Sequence, residues 1–127
     1  MATVKYNLGT VGGIAVTELW SGSVGNLTSQ ATYKITLNDD LTNYKFLIFD
    51  FWCTVNGDMS TRRCFSRFVS VQQFINLFNS AVASTTLVFC WGLNNINDFF
   101  VINKDSTTKV LNAMSMYTQC LRIVGIN

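Results

Sequence analysis

The stretch YKFLIFDFWCTV at residues 44–55, followed by Asn56-Gly57, carries the strongest structural signal in the chain. In an extended segment Phe46, Ile48, Asp50 and Trp52 fall on one side and Leu47, Phe49 and Phe51 on the other. Both faces are largely apolar, so a central strand packed on both sides is expected. The Asn-Gly pair behind it suits a type I′ turn, whose two central residues take positive φ. The spacing therefore predicts a hairpin to a second strand starting near Arg63.

Outward from this strand the pattern stays short and alternating. In ATYKITL at 31–37, Tyr33, Ile35 and Leu37 share one face and Lys34 and Thr36 the other, as in a half-buried strand. Further strands are expected at 14–20, 63–69, 86–92, 99–103, 109–111 and 116–124, with Gly and Asx turn-formers between them. Ser21-Gly22 and Gly25-Asn26 bracket an expected loop, and Asn38-Asp39-Asp40 closes a strand. About eight strands at this spacing give an all-β class, a β-sandwich or jelly roll. Ser70-Val71-Gln72-Gln73 has the form of a capping box, with Val71, Phe74, Ile75 and Phe78 on one side, and marks the single short helix. Residues 1–13 end in Gly12-Gly13 and show little periodicity. They are read as an extended docking arm, with Val4, Lys5, Tyr6 and Leu8 as the partner contacts, ahead of one domain at 14–127. An ordinary first strand of the same sandwich is the alternative for the arm.

Composition narrows the function classes. The chain has 127 residues, enough for one domain that buries roughly two thirds of its unfolded surface. It contains no His, which removes the commonest general base and zinc ligand. Nine Lys/Arg against seven Asp/Glu leave a net charge of +2, too small a field for a phosphate-tracking protein. Charged residues make up only 13% and mean hydropathy is +0.27, which points to apolar surface covered by other subunits. No apolar run reaches the ~18 residues of a membrane span. The start MATVKYNLGT lacks the pattern of a signal peptide, so Cys53, Cys64, Cys90 and Cys120 are expected as free thiols in a reducing compartment.

The candidate chemical constellations are sparse. Asp39-Asp40 is read as a pair of turn acids rather than catalytic carboxylates. Cys64 lies beside Arg62, Arg63 and Arg67, a basic setting that lowers a thiol pKa, but no His is present to act as its base. It is expected to turn inward from a solvent-facing basic edge. Phe65 and Phe68 beside those arginines are out of phase for one strand face, against a single-stranded nucleic-acid platform. Asn26-Leu27-Thr28 has the form of a glycosylation acceptor and is read as incidental. Trp91 with Asn94, Asn95, Asn97 and Asp98 forms the one loop whose amides and ring would suit a sugar. The competing reading is a tight turn with Trp91 in the core. No phosphate-binding glycine motif and no nucleophile elbow occurs.

Leu19-Trp20-Ser21-Gly22, Tyr33-Lys34-Ile35-Thr36-Leu37, Leu41 and Asn43-Tyr44-Lys45-Phe46-Leu47-Ile48, with Leu121-Arg122-Ile123-Val124-Gly125-Ile126-Asn127 at the far end, form a recognisable series. It resembles a small β module found near the C-termini of tail-fibre and other virion proteins of tailed bacteriophages. The resemblance runs over about residues 17–127 with no quotable match in the middle. It implies a β-sandwich on the virion surface, made in the host bacterial cytoplasm and assembled as a homo-oligomer, by analogy a trimer, without catalytic residues or cofactors. A chain that is nearly all module fits a decoration, spike or fibre-tip subunit docking on capsid, neck or tail. A fibre tip that binds host receptor or carbohydrate through Trp91, Asn94, Asn95, Asn97 and Asp98 is the alternative, and a cysteine- or carboxylate-dependent hydrolase is a third.

Overall fold

The structure is a computed structural model that describes residues 6–11, 14–90 and 98–127. The described elements are β1 (Tyr6–Val11), β2 (Ile14–Thr36), a 3-10 turn at Leu41–Asn43, β3 (Phe46–Val55), β4 (Asp58–Ser70), α1 (Val71–Phe78), β5 (Thr86–Cys90), β6 (Phe99–Asn103) and β7 (Val110–Ile126). The fold is all-β with one short helix, and every described strand pairing is antiparallel.

The strands form one curled sheet that folds over on itself as a sandwich. Strand β7 is its axis: it pairs with β2 along its whole length, and on its other side first with β6 and then with β3. The first layer runs β1-β2-β7-β3-β4, while β5 and β6 pair with each other and join the early half of β7. The change of partner falls at Tyr117, whose φ of 55° bends the strand. Opposite it, Gly25 has φ 99°, and a Cβ there would stand 2.3 Å from the Thr118 carbonyl. Buried hydroxyls hold the bend: Tyr33 donates to Ser115 Oγ at 3.0 Å, and Ser115 donates to the Thr118 carbonyl at 3.0 Å.

Between the layers lies an aromatic core. Phe49 and Phe51 from β3 meet Phe100 of β6 at 6.0 and 4.9 Å between ring centres, Phe89 of β5 at 5.3 and 6.1 Å, and Phe74 of α1 packs 6.0 Å from Phe49. Burying each such ring contributes on the order of 1.5–3 kcal/mol, with about 1 kcal/mol more for a well-set aromatic pair. Helix α1 covers this core through Val71, Phe74 and Leu77. Ser70 stands at its N-cap position as expected, but its side chain makes no capping bond.

Several sequence expectations change in detail. The expected strands 14–20 and 31–37 are one long β2, and 109–111 and 116–124 are one long β7. The Gly- and Ser-rich segment between the first pair is not a loop. Its turn-formers are absorbed as bulges, seen as register shifts between Glu18 and Trp20, Ser21 and Val24, and Asn26 and Gln30. Asn56 and Gly57 take φ 50° and 79°, the type I′ signature, and Val55 faces Asp58, so β4 starts earlier than Arg63. Strand β3 is central within its layer, but only Leu47, Phe49, Phe51 and Cys53 face the core. Residues 6–11 of the expected arm pair with β2, Tyr6 opposite Glu18 and Val11 opposite Ile14. Tyr6 and Leu8 thus belong to an edge strand of the chain's own sheet, the alternative reading of that segment, while Val4 and Lys5 lie outside the described residues.

One corner ties distant segments together. Asn38 donates its amide to the Leu19 carbonyl, Lys45 to Ile126 and Leu41 to Thr108. Asp39 accepts from the Tyr44 hydroxyl at 2.8 Å, and the Tyr44 ring packs tightly against Gly125. The segments around Leu19, Tyr44 and Gly125, quoted above for their resemblance to a phage module, therefore meet in space.

Candidate functional site

The side chains of β3 that do not enter the core lead to the most distinctive surface of the molecule. Successive residues of a strand alternate faces, so the register of the first layer fixes a grid on its outer side. One row runs Val16, Ile126, Phe46 and Ser70, and the next Glu18, Val124, Ile48 and Phe68. A third runs Ser21, Arg122, Asp50 and Ser66.

The first row and the Ile48–Phe68 end of the second are thus apolar and lie beside the charged row, with Glu18 closing the second row on β2 and Val124 buried within it. Ile14, Phe46 and Phe68, 46%, 36% and 61% exposed, are three of the large apolar side chains that the described residues leave in solvent, and all lie on this layer. Phe46 and Phe68 stack on each other at 4.8 Å. A shallow groove of about 500 Å3 is lined by Ile14, Val16, Ile48, Asp50, Arg122 and Ile126, among others. In the charged row Arg122 approaches Glu18 at 3.7 Å, and Asp50 accepts from the Ser66 hydroxyl. A small domain with its core already filled has no internal use for such a surface, which has the composition of a contact face.

The edge strand β4 carries the arginine cluster on both of its faces. The Arg62 guanidinium sits 4.7 Å from the Trp52 ring centre, and that of Arg67 5.1 Å from Phe65. Phe65 stacks inward on Phe51 at 5.2 Å, while Phe68 points outward. The two rings therefore do not make one platform. Cys64 faces outward opposite Trp52 and is exposed, contrary to the inward orientation expected from the sequence. Its parity in the strand, one residue after the core-side Arg63, decides this. Cys53 and Cys120 are buried, and burial raises both thiols above their ordinary pKa, with the Arg63 guanidinium working against the shift at Cys53.

The acids Asp39 and Asp40 are turn formers. Asp39 accepts from the Asp40 amide, from Asn43 and from Tyr44; Asp40 accepts from the Thr42 amide and hydroxyl and from Thr108. Those bonds hold the Asp40 carboxyl below its usual range against the opposing effect of desolvation. Asp98, expected in a ligand-facing loop, is fully buried and does not present its carboxylate to solvent. Burial raises its pKa, while the Asn56 amide and Arg63 pull it back. Trp91, Asn94, Asn95 and Asn97 lie outside the described residues. Among the described residues no group of three or more His, Cys, Asp or Glu could hold a metal ion, and no helix is long and apolar enough to cross a membrane.

Sequence reading did not single out the outer face, although its signal was present. The apolar residues of 44–55 occupy both parities, and the second set was assigned to a core. No protein-family model matches this chain, and no curated protein matches it.

Proposed function

We propose that the chain is a structural component of a bacteriophage virion, a self-associating decoration, spike or fibre-tip subunit that docks on capsid, neck or tail and is displayed on the particle surface. The observation that carries this reading is the outer sheet face, an apolar surface on a small sandwich whose core is complete without it. The resemblance of the Leu19, Tyr44 and Gly125 segments to a virion module supports it, since these residues form one packed corner rather than scattered coincidences. Asp39 and Asp40 are engaged in turn contacts, and the exposed thiol of Cys64 has no His to act as its base. The role is one of assembly: a rigid β scaffold presents surfaces and performs no reaction.

Electron microscopy of purified particles from a host producing the chain, combined with quantitative mass spectrometry of their proteins, tests the proposal. A fixed copy number per particle and density that fits the seven described strands at the particle surface are expected. Absence of the chain from purified particles, with abundant protein in the host lysate, would overturn it.

A further inference from the structure

We propose that the outer face of the first layer is the contact surface between two copies of this chain, related by a two-fold axis parallel to the strands and lying between β3 and β7. This goes beyond the virion reading and does not depend on it.

The argument starts from register. Within one chain Asp50 on β3 stands directly opposite Arg122 on β7, with Ile48 opposite Val124 and Phe46 opposite Ile126 in the neighbouring rows. An axis between these two strands exchanges them. It sets β7 of one copy over β3 of the other and keeps each row on itself. Arg122 then lies over the partner's Asp50 and Asp50 over the partner's Arg122. Ile48 lies over the partner's Val124, and Phe46 over the partner's Ile126. Opposite charges meet twice, the apolar side chains of β3 and β7 meet apolar ones, and at the rim Val16 lies over the partner's Ser70 and Glu18 over the partner's Phe68. A two-fold axis running along β7 itself would instead oppose Arg122 to Arg122. The charge pattern thus favours this dyad over one along β7, and a self-complementary patch of this kind is what an isologous dimer requires.

Area sets the strength of the contact. This dyad superposes four strands, β2, β7, β3 and β4, and at ~4.8 Å per strand and ~6.8 Å per outward row their three rows make a facet on the order of 400 Å2 per copy. The pair then buries about 800 Å2, which places it among the weak, transient contacts. Two aligned sheets packing face to face form an ordinary sandwich interface. The exposed Phe46–Phe68 stack supplies an aromatic contact that runs from β3 beside the axis out to the β4 rim. An interface of this size makes a concentration-dependent dimer that dissociates on dilution.

Sedimentation velocity over a dilution series from about 100 μM, where a micromolar complex is populated, reads the association directly. The wild-type chain is expected as a dimer at the upper end. Asp50→Arg and Arg122→Asp should each weaken self-association at least about tenfold, because each sets like charges against one another across the dyad. Asp50 and Arg122 are also neighbours within one chain, so the decisive measurement is an equimolar mixture of the two single variants. There every charge again faces its opposite, and a dimer with one copy of each is expected. Phe68→Glu, which removes an exposed ring on the edge strand and sets a carboxylate over the partner's Glu18, provides a second route if a charge variant fails to fold, and should sediment as a monomer while circular dichroism shows it folded. A wild-type monomer at 100 μM, the trimeric mass implied by the phage resemblance, a mixture that stays monomeric, or a folded Phe68→Glu variant that still dimerises would each overturn the proposal.

Discussion

Replacing Gly125 with alanine would place a methyl carbon 2.5 Å from Cδ1, 2.7 Å from Cγ and 2.9 Å from Cε1 of Tyr44. Ordinary carbon contacts lie at about 3.5–4 Å, so the ring must retreat by roughly 1 Å. It cannot do so freely. Tyr44 is buried and its hydroxyl donates to Asp39 at 2.8 Å, while Asp39 also receives the Asp40 amide and Asn43. Overpacking of a fixed neighbour costs about 1–3 kcal/mol, and loss of a hydrogen bond to a carboxylate about 1.5–3 kcal/mol. The expected destabilisation is therefore about 3–5 kcal/mol, a large part of the roughly 5–15 kcal/mol that holds a domain of this kind together. Urea unfolding followed by tryptophan fluorescence measures it. The corresponding fall in Tm is on the order of 10–20 °C. Repeating the substitution in a Tyr44→Ala background isolates the contact, and there the cost should shrink to about 1 kcal/mol or less. An equal loss in both backgrounds, or a Gly125→Ala protein within about 1 kcal/mol of wild type, would refute the packing argument.

Thr54 is fully buried and its hydroxyl donates to the Leu27 carbonyl, so Thr54→Val should cost about 1–3 kcal/mol in urea unfolding, and a loss below about 0.5 kcal/mol would show that the carbonyl finds another donor. Burial raises the Asp98 carboxyl, so as pH climbs past about 4 the unfolded chain ionises there before the folded one, and the wild type loses stability. Asp98→Asn should therefore melt higher than wild type at neutral pH and show a flatter pH dependence; a lower Tm at pH 7 would mean that the carboxylate is ionised and held by Arg63. Brief alkylation of the native protein with peptide mapping should modify Cys64 at least about tenfold faster than Cys53 or Cys120, whose thiols burial protects. Equal rates at the three sites would contradict their placement.

The sequence was most readable where backbone chemistry is local. Asn56-Gly57 specifies its turn through the φ values of two residues, and 44–55 announces a strand by alternation and β-branched or aromatic content. The extent of β2 was not readable, because Ser21, Gly22, Gly25 and Asn26 are turn-formers by local preference. Only pairing with β7, from the other end of the described chain, holds them extended as bulges. The outer face was hidden for a related reason. Periodicity shows that Phe46, Ile48 and Phe68 are apolar, but not whether the chain itself or a second molecule covers them. Asp98 has the composition of an exposed turn residue, and its burial follows from the tertiary position of the β6 entrance. The aromatic alternation around Arg62, Arg63 and Arg67 correctly divided Phe65 from Phe68, whereas the orientation of Cys64 required the register against Trp52.

Strands β2 and β7 each belong to both layers of the sandwich, and this governs how the molecule comes into being. Neither layer can be completed from a contiguous stretch of chain. Strand β3 needs the late half of β7 beside it, β6 needs the early half, and β2 runs along both. Hairpins β3/β4 and β5/β6 can form early and on their own, but each then exposes half of the Phe49, Phe51, Phe89 and Phe100 cluster until β7 arrives. During synthesis the nascent chain must remain unfolded or chaperone-bound until nearly all of it has emerged, and the step that commits it is a long-range loop closure. That step should be slow, a single kinetic event for the whole domain, and the interval before it is when the exposed aromatic hairpins are most open to misassembly with other copies.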